Sequence, residues 1–255
     1  MKYFDSHCHI NMDPLLKEQS NVFKELENLK FGVNIVGYDI NSSLIAIEQA
    51  KRKNVYATIG VHPCDIDDDI ENAKKQLEEM ILKSNKIIAI GETGFDFYHI
   101  KETPELYIKQ LEWLNMHHEL AKENNFPLMM HVRDGKERMI EWIKKNHYHK
   151  IIIHCFGEDY STAKNYIDLG CYLSIPGIIT YKNAKILHES IKNISLEKII
   201  VETDSPFLAP VPYRGKVNYP QYSLEVIKKI ADLKALDFEY VSKIILENTK
   251  RIFNI

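Results

Sequence analysis

Short apolar runs punctuate the chain, and each is followed by a longer segment with helical spacing. The runs are Lys2–Phe4, Gly32–Val36, Val55–Ile59, Ile87–Ile90, Pro127–Met130, Lys150–Ile153, Cys171–Ile175 and Lys198–Val201. Several contain continuous β-branched stretches, as in IIAI and IIIH, which suits strands buried on both faces. Between them lie Asn41–Lys53, Glu71–Lys83, Glu105–Asn124, Lys136–Asn146, Thr162–Leu169 and Asn183–Lys192, where apolar residues recur at helical spacing, as with Leu44 and Ile47 or Ile108 and Leu111. Ser223–Leu233 and Phe238–Phe253 add two more helical stretches. Strands alternating with helices predict a parallel sheet covered by helices, and eight such units predict a closed (β/α)8 TIM barrel. Periodicity alone leaves an open doubly wound sheet as the other arrangement. Pro206–Pro220 reads as a long loop after the eighth strand. With no linker or low-complexity tract, residues 1–255 read as one domain, close to the ~250 residues such a barrel needs.

The ends of the strands carry the chemistry. Strand one runs into Asp5-Ser6-His7-Cys8-His9, strand three into His62, strand four into Glu92, strand five into His131-Val132-Arg133, strand six into His154, and strand eight into Glu202-Thr203-Asp204. In a barrel these C-terminal ends meet at one mouth, where active sites lie. His7 and His9 are two apart on an extended segment, so both imidazoles point the same way and can grip one cation, with Cys8 turned to the other side. Mixed imidazole and carboxylate ligands suit zinc, manganese or iron better than calcium. Glu92, near the middle of the ring, is the candidate to bridge two metals. Each residue alone has a plainer reading as a hydrogen-bonded strand end or an ion-pair partner; the shared placement favours a metal site at the mouth. His99, His117, His118, His147, His149 and His188 lack that placement and read as surface or packing residues.

Composition narrows the partners. The formal net charge is −3, so any polyanion must be held by a local cluster or by metal rather than by a global basic field. The four cysteines, at 8, 64, 155 and 171, form no CxxC pair and read as reduced, and Cys64 and Cys155 as thiols packed near the rim. No signal peptide or membrane span is apparent, so a cytoplasmic protein with no membrane partner, monomeric by default, is expected. There is no GxSxG elbow, phosphate loop or GxGxxG fingerprint, and His118-Glu119 fails HExxH because Lys122 stands at the second histidine's position.

Taken together, FDSHCHI at the start, GVHP at 60–63, GETGFDFY at 91–98, PLMMHVR at 127–133, IIIHCF at 151–156, ETDSPFLAP at 202–210, PYRGK at 212–216 and NTKRIF at 248–253 resemble the TatD family of metal-dependent deoxyribonucleases, nearly end to end. The resemblance implies two divalent ions (magnesium, manganese or zinc), one held by His7, His9, Glu92 and Asp204, the other by Glu92, His131 and His154. It implies that Asp204 orients or deprotonates the attacking water and that His62 and Glu202 act beside the metals. Arg133 and Arg214 would then stand where a phosphate can be gripped. The family commonly shows Arg-Asn-Glu-Pro after PYRGK; here Val217-Asn218-Tyr219-Pro220 follows, which puts loop anchoring and substrate choice in question. Tyr219 either stacks on a base or packs the loop.

The expected reaction is in-line hydrolysis of DNA phosphodiesters by a two-metal-activated water, from the 3′ end of single-stranded or frayed DNA, in DNA degradation or repair. A protonated His62 is expected to help the leaving oxygen depart. One rival is an amidohydrolase-type reaction on a lactone, amide or phosphate ester; the lack of a lysine on strand four, where many binuclear relatives carry a bridging one, argues against it. The other rival is a non-catalytic DNA- or protein-binding relative, which the intact ligand set argues against.

Overall fold

The computed structural model describes residues 1–99 and 101–255. Eight strands form one parallel sheet in sequential order: β1 (Tyr3–Cys8), β2 (Phe31–Val36), β3 (Val55–Ile59), β4 (Ile87–Asp96), β5 (Leu128–Arg133), β6 (Ile151–Ile153), β7 (Tyr172–Ile175) and β8 (Ile199–Val201). The helices are α1 (Gln19–Asn28), α2 (Ile40–Gln49), α3 (Ile70–Lys83), α4 (Pro104–Glu123), α5 (Lys136–Asn146), α6 (Tyr160–Asp168), α7 (Lys185–Asn193), α8 (Ser223–Lys234) and α9 (Phe238–Phe253). The barrel closes just beyond β8: the Asp204 N–H donates to the His7 carbonyl at 2.9 Å, and the His9 N–H donates to the Ser205 carbonyl at 2.7 Å. This is the (β/α)8 barrel expected from the alternation, and the open-sheet alternative falls. No helix among the described residues is long and apolar enough to cross a membrane.

The apolar runs identify every strand, but three strands continue beyond them. β1 reaches Cys8, β4 reaches Asp96 and β5 reaches Arg133. Their second halves are polar because they line the barrel mouth, where side chains serve one another and a ligand rather than an apolar core. β4 stays buried throughout these ten residues. Its glycines explain how: Gly91 and Gly94 hold φ of +135° and +144°, and a Cβ on Gly94 would stand 2.1 Å from the His131 carbonyl oxygen. Only glycine permits β4 to press this closely on β5.

α1 was not expected. Val22, Phe23 and Leu26 form its buried face, so the helical spacing was present but short. Helix starts elsewhere follow local chemistry. Asp39 caps α2 by accepting the Ser42 N–H at 2.6 Å, while Ser42 Oγ accepts the Asp39 N–H at 2.9 Å. Thr103 caps α4, followed by Pro104 at its first turn.

α4 also carries a buried histidine that braces the mouth. His117 donates from Nδ1 to the Trp113 carbonyl at 2.7 Å and accepts the Val61 N–H at Nε2 at 3.0 Å. It therefore fixes the backbone beside His62. Burial drops its pKa to about 4, and its two partners require the neutral ring. The unfolded chain binds a proton near pH 6.5, so the stability His117 contributes is complete above that pH and is lost as the pH falls towards 4. At its limit this is about 3 kcal/mol. Urea unfolding of wild type and His117→Gln should show an advantage for wild type at pH 7 that shrinks steadily by pH 4.5; a gap independent of pH would contradict the neutral, doubly bonded ring.

Candidate metal centre

Five segments from distant parts of the chain meet at the mouth, the ends of β1, β4, β5, β6 and β8. His7 and His9 on and just beyond β1 bring their Nε2 atoms to 3.1 Å of each other. Asp204, just past β8, places Oδ1 at 3.6 Å from His7 Nε2 and 3.3 Å from His9 Nε2. On the other side, Glu92 Oε1 lies 2.9 Å from both His131 Nδ1 and His154 Nε2. Its second oxygen, Oε2, faces His7 Nε2 at 3.3 Å. Glu92 thus has one oxygen in each half. The six residues that the sequence suggested as ligands, His7, His9, Glu92, His131, His154 and Asp204, come together as two clusters sharing one carboxylate.

Hydrogen bonding behind the rings sets which nitrogen faces inward. His9 Nδ1 donates to the Val36 carbonyl at 3.0 Å, which leaves a lone pair on Nε2. His7 Nδ1 lies against the Met129 sulfur at 3.1 Å. His131 Nε2 donates to Asp96 Oδ2 at 2.9 Å, leaving a lone pair on Nδ1. His154 Nδ1 is 3.4 Å from Glu202 Oε1, which accepts the Cys155 N–H at 2.7 Å. Unprotonated nitrogens and carboxylate oxygens therefore converge with little to share between them except a proton or a cation. Burial pulls the Glu92 carboxyl up, but the imidazoles of His154 and His7 outweigh it and hold it well below the usual range. Burial likewise opposes charge on His154, yet Glu92 and Glu202 raise it well above an ordinary histidine. A field that retains protons on buried imidazoles suits a divalent cation better, since nitrogen and carboxylate donors bind it directly. The donor set fits zinc, manganese or magnesium-type chemistry.

The centre opens into a cavity of about 980 Å3, lined by His9, His62, Arg133, Asp204, Tyr98 and Phe207 among others. His62 accepts the Cys64 N–H at Nδ1, at 3.1 Å, and burial lowers its pKa to about 4. With Nδ1 taken by that N–H and burial favouring the neutral ring, Nε2 lies 3.6 Å from Glu92 Oε1. Glu202 stands behind His154 rather than on the cavity wall; it is fully buried, and its Oε2 has no hydrogen-bond partner among the described residues. Arg133 lines the cavity with its guanidinium 3.9 Å above the Tyr98 ring.

Two expected substrate contacts lie elsewhere. Arg214 is not among the residues lining the cavity; its guanidinium stacks 4.4 Å over Tyr181. Tyr219 packs the loop: its hydroxyl bonds Glu18 Oε2 at 3.0 Å and its ring meets Tyr222 edge-on. A ring held this way is not free to stack on a base at the mouth. The loop is anchored by buried Asn218, which donates to the carbonyls of Thr203 at 2.9 Å and Phe207 at 2.6 Å. Asp96 was missed. It lies four residues beyond Glu92 on one extended strand and so on the same face, a spacing the sequence displayed. His99, read as a surface residue, reaches Asp96 Oδ2 with Nδ1 at 3.0 Å.

A family model described as TatD related DNase matches residues 4–254. The chain belongs to the TatD family of metal-dependent hydrolases. It is 38% identical to an uncharacterised metal-dependent hydrolase of Mycoplasma genitalium, covering 99% of both chains. It is 34% identical to one of Bacillus subtilis, again over 99% of both. A TatD homologue from Escherichia coli shares the fold with a TM-score of 0.90 at 21% identity, over 100% of this chain and 98% of that one. A TatD-family hydrolase from Entamoeba histolytica aligns with a TM-score of 0.85 at 16% identity, over 99% and 98%.

If the TatD-type centre is shared through Glu92, divalent metal added to stripped protein should stabilise it by about 2.7 kcal/mol at a hundredfold excess over Kd. Glu92→Gln should lose most of that gain. An equal rise in unfolding midpoint for wild type and variant would show that Glu92 is not a ligand.

Proposed function

We propose that the protein hydrolyses phosphodiester bonds in DNA, removing nucleotides from the 3′ end of single-stranded or frayed strands. The observation that carries this reading is Glu92, whose two oxygens face two separate histidine clusters at the floor of an open cavity. Two divalent ions held there supply a Lewis acid for phosphate oxygens and a source of hydroxide near neutral pH.

The chain's own groups take complementary parts. Asp204 is anionic: burial pushes its carboxyl up, but the imidazoles of His9 and His7 beside it bring it below the usual range. From the cavity wall it accepts the proton of the attacking water. Arg133 grips a non-bridging phosphate oxygen, and its stack on Tyr98 holds the guanidinium in place. Neutral His62 donates through Nε2 to the departing sugar oxygen. A strand end enters such a mouth where a duplex does not, and a net charge of −3 fits an enzyme that grips a few phosphates locally. The family's own description as related to DNases supports the choice of substrate.

End-labelled single-stranded DNA, incubated with stripped protein and added magnesium, manganese or zinc, should shorten stepwise from its 3′ end. Asp204→Asn keeps an oxygen for the cation but loses the base, so its rate should fall about 10²- to 10⁴-fold with metal content retained. Turnover of lactone or phosphate-monoester substrates with no cleavage of DNA would overturn the substrate; an unimpaired Asp204→Asn would overturn the base.

A further inference from the structure

We propose that Cys64, Asp96 and His99 form a separate zinc-class site on the rim of the mouth, outside the two clusters joined by Glu92. One ligand atom from each, the Cys64 thiol, an Asp96 carboxylate oxygen and a His99 ring nitrogen, all lie within 4.8 Å of one another. A single tetrahedral cation at Zn–S ~2.3 Å and Zn–N ~2.0 Å would draw these atoms in to separations of ~3.5 Å. Thiolate, imidazole and carboxylate together suit zinc or another thiophilic divalent ion and suit magnesium and calcium poorly.

The three residues are placed by the fold rather than gathered by chance on a mobile surface. Cys64 follows the end of β3 and Asp96 ends β4. One buried side chain joins these two segments: Gln110 of α4 accepts the Asp96 N–H at 3.2 Å and donates to the carbonyls of Asp96 at 3.1 Å and Pro63 at 3.3 Å. The Cys64 backbone is held again by its N–H on His62 Nδ1. Asp96 is fully buried, and its Oδ1 accepts the backbone N–H groups of Tyr98 and His99, each at 3.0 Å, which sets His99 over the carboxylate. His99 and neighbouring Asp65 line the cavity, so a fourth coordination position opens towards the space where substrate enters. Three protein ligands and an open position are the pattern of a reactive rather than a purely structural zinc site.

Coordination releases the Cys64 thiol proton to solvent. It also replaces the His99-to-Asp96 hydrogen bond with two metal–ligand bonds, the His99 proton residing on Nε2. Asp96 Oδ2 is the atom that receives the Nε2–H of His131. A cation on the rim therefore draws on the carboxylate that orients a ligand of the central cluster, and the two sites are coupled through Asp96.

The test needs no substrate. Stripped full-length protein is titrated with cobalt(II), a spectroscopic stand-in for zinc, in the wild type and in Cys64→Ser, Cys155→Ser and His99→Ala. Wild type and Cys155→Ser should develop the near-ultraviolet absorption of a cobalt–thiolate bond; Cys64→Ser should not, and should bind about one equivalent less metal. His99→Ala should show the band only at cobalt concentrations about 10- to 100-fold higher. Absence of the band in wild type, its survival in Cys64→Ser, or its loss in Cys155→Ser alone would each overturn the site. Cys64 and His99 are exposed, and circular dichroism of each variant separates loss of ligand from loss of fold.

Discussion

The seam between the last strand and the first governs this molecule. Parallel barrels close when the chain's two ends pair, and here the pairing bonds are made by residues of the metal centre itself. The Asp204 N–H meets the His7 carbonyl, and the His9 N–H meets the Ser205 carbonyl. Below them, buried Asp5 accepts the N–H of Thr203 at 2.9 Å and its hydroxyl at 2.5 Å. Burial drives the Asp5 carboxyl well above its ordinary range, against those hydrogen bonds, so the seam contains a charge-sensitive joint as well as a backbone ladder. Barrel closure and the meeting of His7, His9 and Asp204 are one event.

The centre is a set of lone pairs aimed inward by acceptors that stand behind the rings and face their outer nitrogens. Val36, Asp96, Glu202 and Met129 each stand behind one imidazole and fix its outlook. Such preorganisation is what makes ligand side chains bind one geometry instead of many. It carries local costs. Cys155 and Asp204, both non-glycine, occupy left-handed backbone with φ of +50° and +55° beside or at ligand positions. Each costs about 1–2 kcal/mol, which the surrounding packing must offset. Gly94 meets the same demand without strain, at the point where β4 touches β5 most closely.

Much of this could be read from the residue pattern. Short apolar runs, several of them β-branched, marked all the strands, since strands covered on both faces are apolar without alternation. The ligands were readable because a barrel converts distant strand ends into neighbours. What escaped was what periodicity cannot carry. The mouth-lining halves of β1, β4 and β5 are polar and did not look like strand. α1 was passed over although Val22, Phe23 and Leu26 stand at helical spacing. Asp96 and His99 act through His131, and their part depends on a side-chain contact rather than a motif. Arg214 was placed near substrate by resemblance, and Tyr219, a departure from the family pattern, was left between base stacking and loop packing; their orientation is set by Tyr181 and Glu18, far away in sequence.

The two clusters draw on the chain in different ways. Glu92, His131 and His154 come from three successive strands in its middle, whereas His7, His9 and Asp204 need its first ten residues and its last quarter to meet. The central cluster can assemble from neighbouring units; the other exists only once the circle is complete. In folding terms the second half of the centre is a lock on topology. A chain whose β8 has not docked holds only the group of Glu92, His131 and His154, half of a centre that the closed circle completes.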